Sequence, residues 1–166
     1  MALHHDLLEQ AIHLASRERR RPRQASLRRA VSSAYYALFH LLAAEGARRL
    51  SPNRPASLRF QVGRAFSHSE MKRVCQQFSA RNPAPPTQTL VTFPIATELV
   101  ALASAFVELQ EARQAEDYDL SVVFDRADVL QKIRLTQRAF AGWEAIRGTP
   151  NAAVFIAALL LQRHWR

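Results

Sequence analysis

The chain has 166 residues, 48% of them apolar, with four glycines and a single cysteine, Cys75. That length is enough to bury a core in one domain over residues 1–166, and that apolar share excludes a disordered chain. One cysteine excludes an intrachain disulfide and a zinc site built on paired cysteines.

The net charge is +9 and unevenly placed: residues 1–81 hold 15 Lys and Arg against 5 Asp and Glu, while residues 82–166 hold 8 against 9. The basic half is nearly all arginine. Such a half suits phosphate, nucleic acid or an acidic partner protein. The competing reading is a solvated arginine surface written by a GC-rich genome.

The start, "MALHHDLLEQ", is polar and carries acids, which predicts no signal peptide. The longest apolar run, "AAVFIAALLL" at 152–161, is too short to span a bilayer. The expected setting is therefore the cytoplasm, without a membrane.

Scarce glycine and few alternating segments predict an all-α fold. Leu3, Leu7, Ala11 and Leu14 predict a first helix over 2–20, stopped at Pro22. Leu27, Val31, Ala34, Leu38 and Leu41 mark a second helix over 26–50. A short helix is expected over 57–66. "SHSE" at 67–70 has the Ser-x-x-Glu pattern of a capping box, which predicts a helix from Ser67 to about Ala80. The proline-rich 81–94 reads as a loop, with Pro94 in the first turn of the next helix. That helix covers 94–116, with Ile95, Leu99, Leu102, Phe106 and Leu109 on one face. After a corner at 116–121, another runs over 121–147. "GTP" at 148–150 breaks it, and an apolar helix continues to about Arg163. The sum is an up-and-down bundle of four or five helices, its core over about 5–147, with an extra apolar C-terminal helix at 150–164. A helix apolar on every side must be buried. It could cap the bundle, exchange across a dimer or insert into a partner.

Two polar groups stand out. Arg29, Ser33, Tyr36 and His40 are spaced 4, 3 and 4 and share one stripe of the second helix. Solvated helix faces usually carry Glu, Lys or Gln, whereas aromatics and alanines surround this stripe, so it reads as buried or cleft-lining. Arg113 and Asp117 continue the apolar stripe that ends at Leu109. As buried charges they would need partners, either each other or Arg29, Tyr36 or His40. Tyr118 follows at the helix end, where its hydroxyl could find a polar partner. A structural network explains these residues as well as a catalytic one does. His4, His5 and His13 lie near the N-terminus, but His5 and His13 are two turns apart. No metal and no cofactor are expected.

"SLRRAVSSAYYALFHLL" at 26–42, followed downstream by "LQEARQAEDYD" at 109–119, resembles the HEPN superfamily (higher eukaryotes and prokaryotes nucleotide-binding). "FSHSEMKRVCQQF" at 66–78 adds a histidine, His68, before the third main helix. The resemblance covers about residues 5–145. It implies a four- or five-helix bundle, usually a homodimer. Many members are metal-independent ribonucleases. Others are non-catalytic modules that bind nucleotide or RNA, or pair with a nucleotidyltransferase in toxin–antitoxin and defence systems. The ribonuclease motif separates an arginine from a histidine by four to six residues. Here Arg64 and His68 have three between them, Arg59 and His68 eight, and Arg29 and His40 ten.

The expectation is therefore a HEPN-like RNA- or nucleotide-associated module lacking that motif. The alternatives are a divergent ribonuclease using His40 or His68 with an arginine, and a purely structural interaction bundle.

Overall fold

The structure is a computed structural model that describes residues 2–165. Among these residues all regular structure is helical. The order is α1 (Leu3–Ser16), α2 (Gln24–Leu50), α3 (Ala56–Arg64), α4 (His68–Ser79), α5 (Thr87–Leu90), α6 (Thr97–Tyr118), α7 (Arg126–Ile146) and α8 (Pro150–Leu161). A 3-10 turn, Gln162–His164, ends the chain. No helix among the described residues is long and apolar enough to cross a membrane.

The longest helix, α2, is the axis of the bundle. Helices α1, α3, α6, α7 and α8 all pack on it. Its alanines 30, 34 and 37 are fully buried beside Leu27, Val31, Leu38 and Leu42. Small side chains between large ones let neighbours approach on several sides at once. This explains why Ser32 and Ser33, polar in sequence, are buried too. Helix α6 lies against α2, α4 and α7, and places Leu99, Leu102, Phe106 and Leu109 in the core.

Most expected helices are present, and the differences have local causes. No capping box forms before α4. Ser67 is its N-cap residue but accepts nothing there, and its hydroxyl pairs with that of Ser69 at 3.0 Å. The 81–94 segment carries a single helical turn, α5, whose buried Thr87 faces the core. Helix α6 begins at Thr97, so Pro94 precedes it rather than occupying its first turn, and it runs on through Tyr118.

Helix α7 starts at Arg126, five residues later than the periodicity suggests. The 119–125 segment is instead an extended strap tied to the start of α2. The Arg28 guanidinium donates to the carbonyls of Glu116 (2.6 Å), Asp119 (3.2 Å) and Val122 (2.6 Å). The Gln24 amide donates to the Phe124 carbonyl and accepts from its N–H. These bonds satisfy backbone groups that a helix would otherwise have satisfied. Asp125 then caps α7 by accepting from the Asp128 N–H at 2.8 Å.

The apolar C-terminal helix folds back. Thr149 caps α8 and Pro150 opens it. Ala152, Phe155, Ile156, Ala158 and Leu159 are buried, and the Phe155 ring meets Phe78 of α4 edge to face at 4.9 Å. Of its three expected fates, α8 closes the bundle of its own chain.

Candidate functional site

The polar stripe on α2 divides between two neighbours. Its N-terminal end turns to α1, where the Ser33 hydroxyl donates to Gln10 Oε1 at 3.0 Å. Leu7, Gln10, Leu14, Arg29, Ser32, Ser33 and Tyr36 line a recess of about 350 Å3 there, and Arg29 is exposed at it. Tyr36 also reaches His68 of α4 and Arg113 of α6, and it stacks at 6.2 Å on His40, which lies near His4 of α1. The stripe is thus buried at Ser33, half-buried at Tyr36 and His40, and exposed at Arg29.

His68, in the first turn of α4, enters the group formed by Tyr36 and His40. Its ring stacks on Phe39 with centroids 4.2 Å apart and meets Tyr36 edge to face at 5.9 Å. The Tyr35 hydroxyl lies 2.5 Å from His68 Nδ1. Burial pushes the Tyr35 phenol well up, so it keeps its proton at any ordinary pH. A hydroxyl donating to Nδ1 leaves the imidazole proton on Nε2. Behind the ring, the buried Gln110 of α6 donates from Nε2 to the His68 carbonyl at 3.2 Å. The imidazole is therefore fixed by stacking, by its ring nitrogen and by its backbone.

Arg113 completes the cluster from α6. Its guanidinium lies 5.3 Å from the Tyr36 ring centroid and 5.8 Å from that of Tyr35. It pairs with Asp117, one turn later, at 2.8 Å. Arg113 and Asp117 side chains are 22% and 31% exposed, so the pair sits at the rim of the bundle rather than in a sealed core. Arg113 Nε is buried with no hydrogen-bond partner. Tyr118, by contrast, is 84% exposed and its hydroxyl finds no partner among the described residues. The helix end turns this side chain outward, so it stands apart from the cluster.

The electrostatics keep both histidines neutral at pH 7. Burial lowers the His40 pKa. Burial, then the Arg113 charge, then His40 lower that of His68. A carboxyl at the end of α6 goes the other way. Burial and the adjacent Asp117 push Glu116 up to about 7, against the pull of Arg29 and Arg28. Around the Arg113 guanidinium the fold thus assembles the neutral His68 imidazole and two tyrosine rings, with His40 stacked on Tyr36 and Glu116 next to Asp117. Neutral imidazoles can accept protons, and a guanidinium over aromatic faces can hold a phosphate or stack on a base. Among the described residues no group of three or more His, Cys, Asp or Glu is placed to hold a metal ion.

The residues singled out in sequence meet only in part. His40, His68, Tyr36, Arg113 and Asp117 converge, while Ser33 and Arg29 line the neighbouring recess on the other side of Tyr36. Four contributors carry no separate signal in sequence: Tyr35, Phe39, Gln110 and Glu116. Tyr35 and Phe39 look like core aromatics flanking the stripe, and their function depends on where α4 begins. Gln110 follows Leu109 on the buried side of α6. A polar residue one step from a core stripe is the pattern that would have pointed to it. Comparison with protein-family models, curated proteins and solved structures finds no match to this chain.

Proposed function

We propose that the protein is a HEPN-like helical module that binds single-stranded RNA or a nucleotide phosphate at the Arg113 cluster. In this reading it works as a homodimer within a toxin–antitoxin or defence pair, beside a nucleotidyltransferase partner. One observation carries the reading. Arg113 has a single carboxylate partner, lies over two tyrosine rings, and remains partly open to solvent near His68. A cation backed by aromatic rings is the combination that holds phosphate and stacked bases. The excess of arginine in residues 1–81 adds long-range attraction for a polyanion. The arginine–histidine spacing of the standard HEPN ribonuclease motif is missing, which favours binding over cleavage.

The test is fluorescence anisotropy with a labelled oligouridine at low and moderate salt. The wild type is expected to bind with strong salt dependence, and Arg113→Ala to lose at least tenfold in affinity. Equal binding by the variant, or none by the folded wild type, would remove the proposal.

A second reading has a specific observation behind it. A neutral imidazole near a guanidinium, as His68 is to Arg113, is what cleavage at a 2′-hydroxyl requires, the ring to take the proton and the cation to stabilise the phosphorane charge. His40 stacks on the adjoining Tyr36 as a second base. End-labelled RNA incubated with the protein in EDTA separates the two. The binding module leaves it intact. Cleavage that disappears in His40→Ala or His68→Ala would establish a metal-independent ribonuclease and locate its base.

A further inference from the structure

Helix α3 has no buried residue, although the chain on either side of it is anchored. At its C-terminal end the Phe66 ring is buried over Gly46 of α2, where an added Cβ would lie 2.2 Å from Phe66 Cζ. A glycine at this point lets the ring approach, and α3 lies on α2 without burying any residue of its own. Between it and α2 lies a groove of about 700 Å3. That is within the range of ligand sites, and its lining is mostly apolar. Alanines 43, 44 and 47 form the floor. Arg59, Phe60, Gly63 and Arg64 line it from α3, Phe39 and His40 from α2, and Leu3 and His4 from the start of α1.

The charge around this groove is of one sign. Residues 46–69 hold five arginines and no Asp or Glu. Arg54, Arg59 and Arg64 have no carboxylate partner among the described residues. Phe60 is 64% exposed, with the Arg64 guanidinium 6.0 Å from its ring centroid. A phenylalanine left facing water between two unpaired arginines is unexplained by anything inside this chain.

We infer that α3 and its groove are a track for single-stranded RNA that leads the strand, past His40, to the Arg113 cluster. The inference rests on the RNA reading of that cluster and extends it to a second surface. The arginines would follow the phosphates, and Phe60 would stack on a base, the combination of groove and platform that sequence-tolerant single-strand binders use. His40 is the junction. It lines the groove and stacks on Tyr36, which faces Arg113 and His68. A lone anionic amphiphile needs one cation at the mouth of an apolar pocket. Unpaired arginines spread along the rim, with an outward-facing ring between them, fit a polyanion with planar groups better.

The experiment measures oligouridine binding across a salt series for the wild type, Arg113→Ala, Phe60→Ala, the double variant Arg59→Ala/Arg64→Ala, and Gly63→Leu. None of the α3 changes touches a buried contact. At Gly63, which lines the groove, an added Cβ meets nothing within 4 Å, so a side chain there starts from open space. Phe60→Ala is expected to weaken binding about tenfold. The double arginine variant should reduce the slope of log affinity against log salt by about 1.4, at about 0.7 per lost phosphate contact. Gly63→Leu should weaken binding while its Tm does not fall. If Arg113→Ala loses affinity and every α3 variant binds as the wild type does, the track is wrong and the cluster stands. No binding by the wild type overturns both. Dodecanoate bound tightly by the wild type and not by Gly63→Leu, with RNA affinity unaltered in Gly63→Leu, would assign the groove to an amphiphile and overturn the track.

Discussion

Two clusters of arginine and carboxylate lie against α2, and they are built to opposite ends. Near its C-terminus Glu45 is 5% exposed and is surrounded by three arginines. Arg48 pairs with it one turn on, Arg49 Nε lies at 3.4 Å, and Arg147 from the end of α7 donates at 2.9 Å. Arg49 also donates to the Arg147 carbonyl, so the end of α7 is tied to α2 twice. Burial alone would raise the Glu45 carboxyl. The Arg48 hydrogen bond and the charges of Arg147 and Arg48 outweigh it and hold the group below the usual carboxylate range. One and a half turns before Glu45, the His40 end of the other cluster looks different. Arg113 has one partner, Gln110 Oε1 is buried without a hydrogen bond, and the imidazoles are kept neutral. The first cluster saturates its buried charge and so locks two helices. The second sets one arginine against one carboxylate at a partly open rim and leaves the cation free to take a further anion.

Four experiments would break or sharpen that contrast. The largest effect is expected at the lock. Glu45→Gln leaves three arginines without their shared counter-charge and should cost about 3 kcal/mol in urea unfolding, the low end for a buried pair because Arg48 and Arg147 are partly exposed. RNA affinity should not change. A loss below about 0.5 kcal/mol would mean that this cluster is no lock.

Arg113→Ala should show the reverse. A rim pair contributes up to about 1 kcal/mol, so stability should fall by no more than that while RNA binding is lost. A severe loss of fold would place Arg113 among the structural residues and erase the distinction.

Tyr35→Phe keeps the ring and removes the hydroxyl next to His68 Nδ1. The expected cost is about 1 kcal/mol. The His68 pKa, followed by NMR, should stay below 6.5, because the burial and the Arg113 and His40 charges that lower it are untouched.

The smallest effect is a slope in the dependence of stability on pH. Glu116 has a raised folded pKa. Its contribution is fully present below its unfolded value of 4.5 and is lost as pH rises through about 7. His40 and His68 have lowered folded pKa values. Their contribution is present above 6.5 and is lost as pH falls through those lowered values. Glu116→Gln should remove the loss between about 4.5 and about 7 and leave the acid-side loss of the histidines intact. An unchanged profile in denaturant melts across that range would show that Glu116 does not titrate near neutrality.

Much of the helical order was legible in sequence. The apolar repeats of Leu27 to Leu41 and of Leu99 to Leu109 lie where α2 and α6 form, because helical period and burial leave the same mark. Pro150 at the start of α8 and the break at 148–150 were equally plain. The late start of α7 was not, because Gln24 and Arg28, about a hundred residues away, hold the strap that replaces its first turns. The site was legible in halves. His40 and Tyr36 share a face by helical spacing, and Arg113 and Asp117 pair by the same rule. What joins the halves is His68, and no spacing within one helix leads to it.

The sequence by itself determined an all-helical chain, its basic first half and the residues that share each helix face, since all three follow from composition and a fixed helical period. Only the tertiary structure decided that Tyr35 meets His68, that Arg113 lies over two tyrosines, and that α3 leaves a groove against α2 with its phenylalanine exposed. These depend on where separate helices come to rest. That placement is set by packing across the whole core rather than by any local run of residues.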